Sequence, residues 1–369
     1  MNYKELRVEY FMKILYVITG LGQGGAERVV CDLANSMFEK GHEVKITYLT
    51  GSVLTKPIHS EIELININLN SLMSLPLAYQ KLSKVIKSYQ PDIVHAHMIH
   101  ANLFTRLVRI ITPIKKLICT AHSANEGGKI RMFLYRITHS LSDITTNVSN
   151  FASNAYVEKK AVPINGITTV YNGVNFNNFK YDNLARFSIE TEFYLESSTK
   201  IILAVGRFHY AKNYPNLLSA IKILKEKYLL PFKLLIAGDG ELRIEIEQLI
   251  HQLDLSNEVI LLGRRNDIPK LMSACDVFVL SSDYEGLPTV LIEAMACQAH
   301  VVSTDVSGVR EIVNIYGEII ETNNPEQLYL ALLKALNIQG KNESGSLYVK
   351  EKFNLDIIVR EWQDIYYNG

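Results

Sequence analysis

The feature that most constrains this chain is a recurrence of short apolar runs separated by amphipathic segments, in two series. Runs at 13–19, 43–49, 92–97, 117–121, 144–148 and 168–171 make the first series, and runs at 201–205, 233–237, 258–261, 277–280 and 300–303 the second. Runs of this length suit strands, and an intervening segment such as Leu217, Leu218, Ile221 and Leu224 repeats with helical period. Strand and helix in alternation select an α/β fold with a doubly wound sheet. The pattern breaks near 173–198, where Asn172 to Asn178 and Ser197-Ser-Thr199 are turn-forming. Two Rossmann-like domains are therefore expected, 12–175 and 176–352, with a final helix in 353–369 carrying Trp362, Tyr366 and Tyr367. Met12-Lys-Ile-Leu-Tyr16 looks like the natural strand start, so residues 1–11 read as a frayed tail or an alternative start.

A chain of 369 residues is long for one domain and comfortable for two, and at 48% hydrophobic it can fill both cores. No stretch approaches the ~18–20 consecutive apolar residues of a membrane span. Cys31, Cys119, Cys275 and Cys297 are scattered among apolar neighbours with no CxxC, which fits buried thiols in a reducing cytoplasm. The zero net charge hides an asymmetry. Residues 1–178 hold 19 Lys and Arg against 12 Asp and Glu, a net of +7, and residues 179–369 hold 19 against 26, a net of −7. The first half is the candidate surface for anionic partners. Lys81, Lys84 and Lys87, then Arg106, Arg109, Lys115 and Lys116, then Lys129, Arg131 and Arg136 all border apolar residues. Such faces suit lipid headgroups or a lipid pyrophosphate, or are plain solvated helix faces. A neutral chain without a nucleic-acid motif excludes that partner class.

The densest chemical signal is Glu285-Gly-Leu-Pro-Thr-Val-Leu-Ile-Glu293. Gly286 permits a tight turn, Pro288 suits the first helical position, and Val290 onward reads as a largely buried helix. Backbone N–H groups at such a helix start attract phosphate. At 1.5 Å per residue, Glu293 lies roughly 7–8 Å along the helix from Pro288, so the two carboxylates can bracket a bound diphosphate. Lys200-Ile-Ile-Leu-Ala-Val-Gly-Arg207, with Lys212 five residues on, reads as a strand delivering two cations to the ligand-binding end of an open sheet. Cations there neutralise a departing diphosphate. The plainer reading of both segments is a capped core helix with solvated acids and a βα loop with surface cations.

Taken together, Gly206-Arg207, Lys212, Glu285 and Glu293 resemble the retaining glycosyltransferases of family GT4, which have the GT-B fold. Gly-Gly-Ala-Glu27, Asn172-Gly-Val-Asn175, Ala237-Gly-Asp-Gly-Glu241 and Leu262-Gly-Arg-Arg265 fall in that family's order and spacing, so the resemblance covers nearly the whole chain. It implies two Rossmann-like domains facing an interdomain cleft, with the last helix crossing back onto the first. It also implies roles. Glu285 would bond hydroxyls of the donor hexose, assisted by backbone groups of Gly286, Leu287, Pro288, Thr289 and Val290. Glu293 would hold the ribose, Arg207 and Lys212 the diphosphate. The base would pack on Gly263 to Ile268, with Arg264 or Arg265 nearby.

Gly20-Leu-Gly22-Gln-Gly-Gly25 also matches GxGxxG after a strand, the mark of a dinucleotide-binding dehydrogenase. That pattern needs an acid at the end of the second strand, but this strand ends Thr47-Tyr-Leu-Thr50 and Glu43 lies at its start. On the GT-B reading, Gly24 and Gly25 let the backbone approach the donor diphosphate from the opposite domain. Seven of ten histidines fall in the first half, and His95 and His97 share one face of a strand. The resemblance places His122 near the donor sugar and His97 near sugar or acceptor; Asn125, Lys129 and Arg131 complete the candidate acceptor side. A zinc site from His97, His100 and His122 is geometrically conceivable, but no partner Cys or acid pair sits nearby in sequence.

No Asp-x-Asp occurs, so Arg207 and Lys212 are expected to replace a divalent cation, and no metal or other cofactor is expected. The family implies same-face displacement with retention, in which the leaving phosphate oxygen takes the acceptor proton. The expected activity moves a hexose or N-acetylhexosamine from a nucleotide sugar, UDP-linked before GDP-mannose, to a polyprenyl-diphosphate saccharide in O-antigen or capsule-type assembly. The enzyme would be cytoplasmic and peripheral on the inner membrane. A GT-B epimerase and a catalytically idle GT-B partner protein are the alternatives.

Overall fold

The six apolar runs of the first series, with one further strand, form a seven-stranded, all-parallel sheet, and the five of the second, also with one further strand, a six-stranded one. The computed structural model describes residues 11–22, 24–124 and 127–368. The proposed tail, apart from Phe11, and Asn125 lie outside the described residues. The chain divides into two units, Met1–Val170 with Val359–Gly369, and Tyr171–Ile358.

In the first unit the strands are β1 (Lys13–Ile18), β2 (Glu43–Tyr48), β3 (Glu63–Asn66), β4 (Ile93–His97), β5 (Leu117–Ala121), β6 (Ile144–Asn147) and β7 (Thr168–Thr169). Their order is β3-β2-β1-β4-β5-β6-β7, so the winding reverses between β1 and β4. Alternation gives the sheet two characters. Leu15, Val17, Val94, Ala96, Leu117 and Cys119 meet Leu82, Ile86, Phe104 and Val108 of two helices in an apolar core. The opposite face carries Tyr16, His95, Thr120 and Thr146 on four adjacent strands. The last helix, Leu355–Asn368, starts two residues later than expected and lays Trp362 and Tyr366 against that stripe. Arg106 is fully buried without a carboxylate; it donates to Tyr135 O, Thr138 Oγ1, Ser142 Oγ and Thr145 Oγ1. Its cation thereby sits at the negative C-terminal end of the helix Lys129–Ile137 and over the Tyr135 ring.

The second unit contains β8 (Lys200–Val205), β9 (Phe232–Ala237), β10 (Val259–Gly263), β11 (Val277–Leu280), β12 (His300–Thr304) and β13 (Gly317–Ile320), in the order β10-β9-β8-β11-β12-β13. Its winding reverses between β8 and β11. One core packs Ile202, Ala204, Leu234, Ile236 and Val279 against Leu217, Ile221, Ile246 and Leu332. The two units repeat one staple: Asp92 accepts from the N–H of Lys13, and Asp276 from that of Ile201. Each carboxylate ties the strand on one side of its switch point to the strand on the other. β3 and β13, which the apolar pattern does not predict, are the short edge strands of their sheets.

Candidate functional site

In open α/β sheets, ligands bind outside the carboxyl ends of the strands at the switch point. The candidate residues of the second unit collect there. Gly206 and Arg207 follow β8, Lys212 lies in the next turn, and Glu285 follows β11, the neighbouring strand across the switch. Lys212 Nζ stands 2.5 Å from Glu285 Oε1, and Ser282 Oγ donates to the same oxygen at 2.7 Å. The Lys212 and Glu285 side chains are 21% and 17% exposed, so the pair is sheltered yet reachable. Ser281 Oγ donates to Lys212 O, fixing the lysine loop to the end of β11. Asn213, at φ 44°, accepts from the N–H of Asn216 and donates to Asp283, so the loop stays anchored at both ends.

Arg207 is more open, at 65% exposed, and its guanidinium is paired with Glu241 at 3.1 Å. Backbone hydrogen bonding and the Arg207 cation hold the Glu241 carboxyl below the usual range. Gly238 and Gly240 explain how Ala237-Gly-Asp-Gly-Glu241 comes so near. Phe208 N donates to Asp239 O, and a Cβ on Gly238 would lie 1.9 Å from Gly206 O. Buried Tyr214 donates to Gly206 O at 3.0 Å; burial, then the Glu285 charge, raises its pKa. Sequence reasoning misses Ser282 and Tyr214, and it names Glu241 only as the end of a motif, with no role of its own. The Ser281-Ser282 pair directly after an apolar strand was the available signal for the first.

The second carboxylate, Glu293, is half-buried one turn into the helix Thr289–Ala296. Pro288 is the residue before this helix, at φ −74° and ψ 82°, not its first member. The Thr289 N–H, one of the groups expected to face a phosphate, instead closes a short turn onto Leu287 O, and the N–H of Leu291 closes the next onto Pro288 O. Gly286 and Val290 are half-buried and Leu287 is buried. Ile268 opens the helix Ile268–Ala274 after β10. Of the two arginines beside it, Arg265 is committed: it forks onto Glu192 and Asp267, all at 2.7–3.1 Å. Those bonds raise its pKa. Arg264 is the exposed one.

In the first unit, Gly24 caps the helix Gly25–Glu39. The N–H groups expected to meet a diphosphate here are partly engaged: the Glu27 carboxylate folds back onto backbone N–H groups of Gly24 and its own residue. Burial nevertheless raises its pKa. A Cβ on Gly24 would lie 2.3 Å from Glu27 Oε2, whereas one on Gly25 meets nothing. The absence of a side chain at Gly24 thus makes room for Glu27. His97, at the end of β4, pairs with His122, just past the end of β5: Nδ1 to Nε2, 3.0 Å. His95 is a satisfied buried group, bonded to Tyr366 and Thr120. His100 is exposed, and no three metal-ligating side chains converge among the described residues. Lys129 and Arg131 lie exposed on the first turn of Lys129–Ile137.

Two family descriptions match the chain, Glycosyltransferase Family 4 over residues 23–178 and Glycosyl transferases group 1 over residues 188–351. Among curated relatives, it is 27% identical to the N-acetylgalactosamine-N,N'-diacetylbacillosaminyl-diphospho-undecaprenol 4-alpha-N-acetylgalactosaminyltransferase of Campylobacter jejuni, over 87% of this chain and 89% of that one. It is 26% identical to the N-acetyl-alpha-D-glucosaminyl L-malate synthase of Bacillus anthracis, over 94% of both. Among solved structures, the Anabaena protein HepE, crystallised with UDP and glucose, superposes with a TM-score of 0.80 at 18% identity, covering 96% of this chain and 99% of that one.

Proposed function

We propose that this chain, which belongs to the GT4-type glycosyltransferases of GT-B fold, moves a hexose or N-acetylhexosamine from a UDP-sugar to a lipid-linked saccharide with retention of configuration. The observation that carries the reading is the Lys212–Glu285 pair at the switch point of the second unit, with Arg207 beside it. Cleaving a sugar–phosphate bond develops positive charge at the anomeric carbon and negative charge on phosphate. Lys212 and Arg207 stabilise the leaving diphosphate, Glu285 receives the hexose hydroxyls, and Glu293 the ribose. Arg264 supplies the cation beside the base, because Arg265 is already forked onto two carboxylates. The departing phosphate oxygen takes the acceptor proton on the face it leaves.

The Campylobacter relative's name supports a lipid diphosphate acceptor and an N-acetylhexosamine, and the UDP in the HepE crystal supports the nucleotide. The surface of the first unit supports attachment to a membrane. Ile130, Phe133 and Ile137 are 56–77% exposed on a helix that also bears Lys129, Arg131 and Arg136. Leu72, Met73 and Leu77 are 71–91% exposed at the N-terminal end of the helix Leu75–Tyr89, which bears Lys81, Lys84 and Lys87. No helix among the described residues is long and apolar enough to cross a membrane. The test is a thermal-shift panel of nucleotide sugars, followed by transfer from the best binder to a polyprenyl-diphosphate saccharide and to L-malate. Product on the lipid alone is the expected result; product on malate alone would replace the lipid reading with a soluble acceptor.

Two further results are expected. Transfer survives EDTA, because Lys212 and Arg207 supply the positive charge; loss with chelator and recovery with Mn²⁺ would refute this. Reversal of Lys81, Lys84 and Lys87 to Glu weakens sedimentation with anionic liposomes and leaves nucleotide affinity unchanged, at about 1 kcal/mol per basic residue near the surface. Unchanged sedimentation would make that helix a solvated face.

A further inference from the structure

The loop after β9 sets its acids beside the cations of the two neighbouring loops. β9 lies between β10 and β8 in the sheet. Glu241, past the end of β9, pairs with Arg207, past the end of β8, and Asp239 stands 3.9 Å from Arg264, past the end of β10. The backbones of the β8 and β9 loops are also fixed against each other. Phe208 N donates to Asp239 O and Leu242 N to Phe208 O, while a Cβ on Gly240 would lie 2.5 Å from Phe208 O. Arg207 and Glu241 therefore start from anchored positions, and only their side chains are left to be placed.

The pair meets edge-on. Arg207 Nε and Nη2 both reach Glu241 Oε2, at 3.2 and 3.1 Å. That engages one edge of the guanidinium. Nη1 and the outer N–H of Nη2 are left at its far end, a fork that matches two oxygens of a phosphate. Nη1 has no hydrogen-bond partner among the described residues. The carboxylate is held in its turn. Its own backbone N–H and then the Arg207 cation keep its pKa below the usual range. Its other oxygen, Oε1, faces His209 Nε2 at 3.7 Å. His209 Nδ1 accepts from the Ala211 N–H at 3.1 Å, so Nε2 carries the ring proton and turns it toward Glu241. Without this grip, an arginine that is 65% exposed samples many rotamers.

We propose that Glu241 is a positioning residue, which grips Arg207 by its Nε edge and so aims the open Nη1–Nη2 fork for the diphosphate of the donor. This rests on the proposed function for the identity of the ligand, and on the geometry alone for the grip. A bare carboxylate beside a phosphate site repels the ligand. Here its charge is met by Arg207 and faced by His209, and what it supplies is orientation. Fixing a long side chain in advance removes an entropy cost that binding otherwise carries. Lys212 needs no such partner for aim, because an ammonium is a point charge with no edge to orient.

The test compares Glu241→Gln and Glu241→Ala in the full chain. Glutamine keeps an oxygen acceptor for Arg207 without the charge, and alanine removes both. Calorimetry follows the binding of UDP and of inorganic pyrophosphate. Proton–nitrogen correlation follows the Arg207 Nε–H signal, assigned from its loss in Arg207→Ala. Glu241→Ala weakens both ligands about 2–10-fold, the range for ordering one long side chain, and its Arg207 signal moves to the position of mobile arginines. Glu241→Gln stays close to the parent in affinity and keeps a distinct signal. In the Arg207→Ala background, Glu241→Ala has no further effect, since its influence runs through Arg207. Tighter binding in both variants would overturn the proposal and make Glu241 a competitor for Arg207. An equal loss in the Arg207→Ala background would overturn it as well and assign Glu241 to the fold. An Arg207 signal already mobile in the parent would refute the grip directly. Should that signal behave as expected while UDP fails to bind, the nucleotide of the proposed function falls and the grip stands.

Discussion

Glu285→Ala abolishes sugar transfer while the protein keeps its fold, and Lys212→Ala lowers kcat by about 10²–10³, the roughly 2.7–4 kcal/mol lost with one charge-stabilising donor. The expectation follows from the local geometry. Glu285 Oε1 receives both Lys212 Nζ and Ser282 Oγ, so the carboxylate stays oriented by the serine when the lysine is removed. Conversely, Lys212 retains its loop anchors at Ser281 and Asn213 when Glu285 is removed. Neither change opens the apolar core. The double variant should be less damaging than the two single effects added together, because contacting residues couple by about 0.5–3 kcal/mol. Arg207→Ala should cost as much as Lys212→Ala, although Arg207 is spent on Glu241 before donor binds. Purified variants with unchanged melting temperature, assayed for kcat and donor KM, decide the matter. Near-normal rates in any two of the three single variants would remove the diphosphate site from this position.

Part of this arrangement is readable without coordinates. Apolar strands locate β8 and β11, and residues just past their ends must share the binding end of a parallel sheet, so Lys212 and Glu285 can both be assigned to that end. Sheet order is what brings them to 2.5 Å, and sequence spacing does not encode that β8 and β11 are neighbours. The edge strands β3 and β13 escape notice for a related reason: Glu63-Leu-Ile-Asn66 and Gly317-Glu-Ile-Ile320 are half-buried or exposed and need no long apolar run. The helix starts mislead in another way. Gly286-Leu-Pro-Thr289 and Gly24-Gly-Ala-Glu27 both look like open phosphate cradles, but local turns and the Glu27 carboxylate engage part of each. A composition of turn-formers cannot say whether their N–H groups face outward. The histidines show the same boundary. Alternation puts His95 and His97 on one face, but only the register of β4 with β5 separates the satisfied His95 from the His97 that meets His122.

Gly238→Ala produces the largest loss of stability expected in the second unit, and with it the loss of nucleotide binding. Three loops close on one another here: Gly206 N donates to Ala237 O, Gly238 N to Gly263 O, and Phe208 N to Asp239 O. At φ 152°, Gly238 occupies backbone space that other residues enter at a cost of about 1–3 kcal/mol. Its missing side chain is equally necessary, since a Cβ would lie 1.9 Å from Gly206 O and 2.9 Å from Gly206 C, both backbone atoms. Overpacking of this kind adds roughly 1–3 kcal/mol, and any relief must push Gly206 and Arg207 away from Lys212. Gly25→Ala is the control for stability: its Cβ meets nothing, and Gly25 is the first residue of a helix at ordinary negative φ. Thermal unfolding with and without UDP separates the cases. Gly238→Ala should melt lower and lose its shift with UDP, and Gly25→Ala should melt no lower than the parent. A Gly238→Ala protein that kept both its melting point and its UDP shift would mean that the loops need not touch, and that Arg207 is not held where the diphosphate requires it.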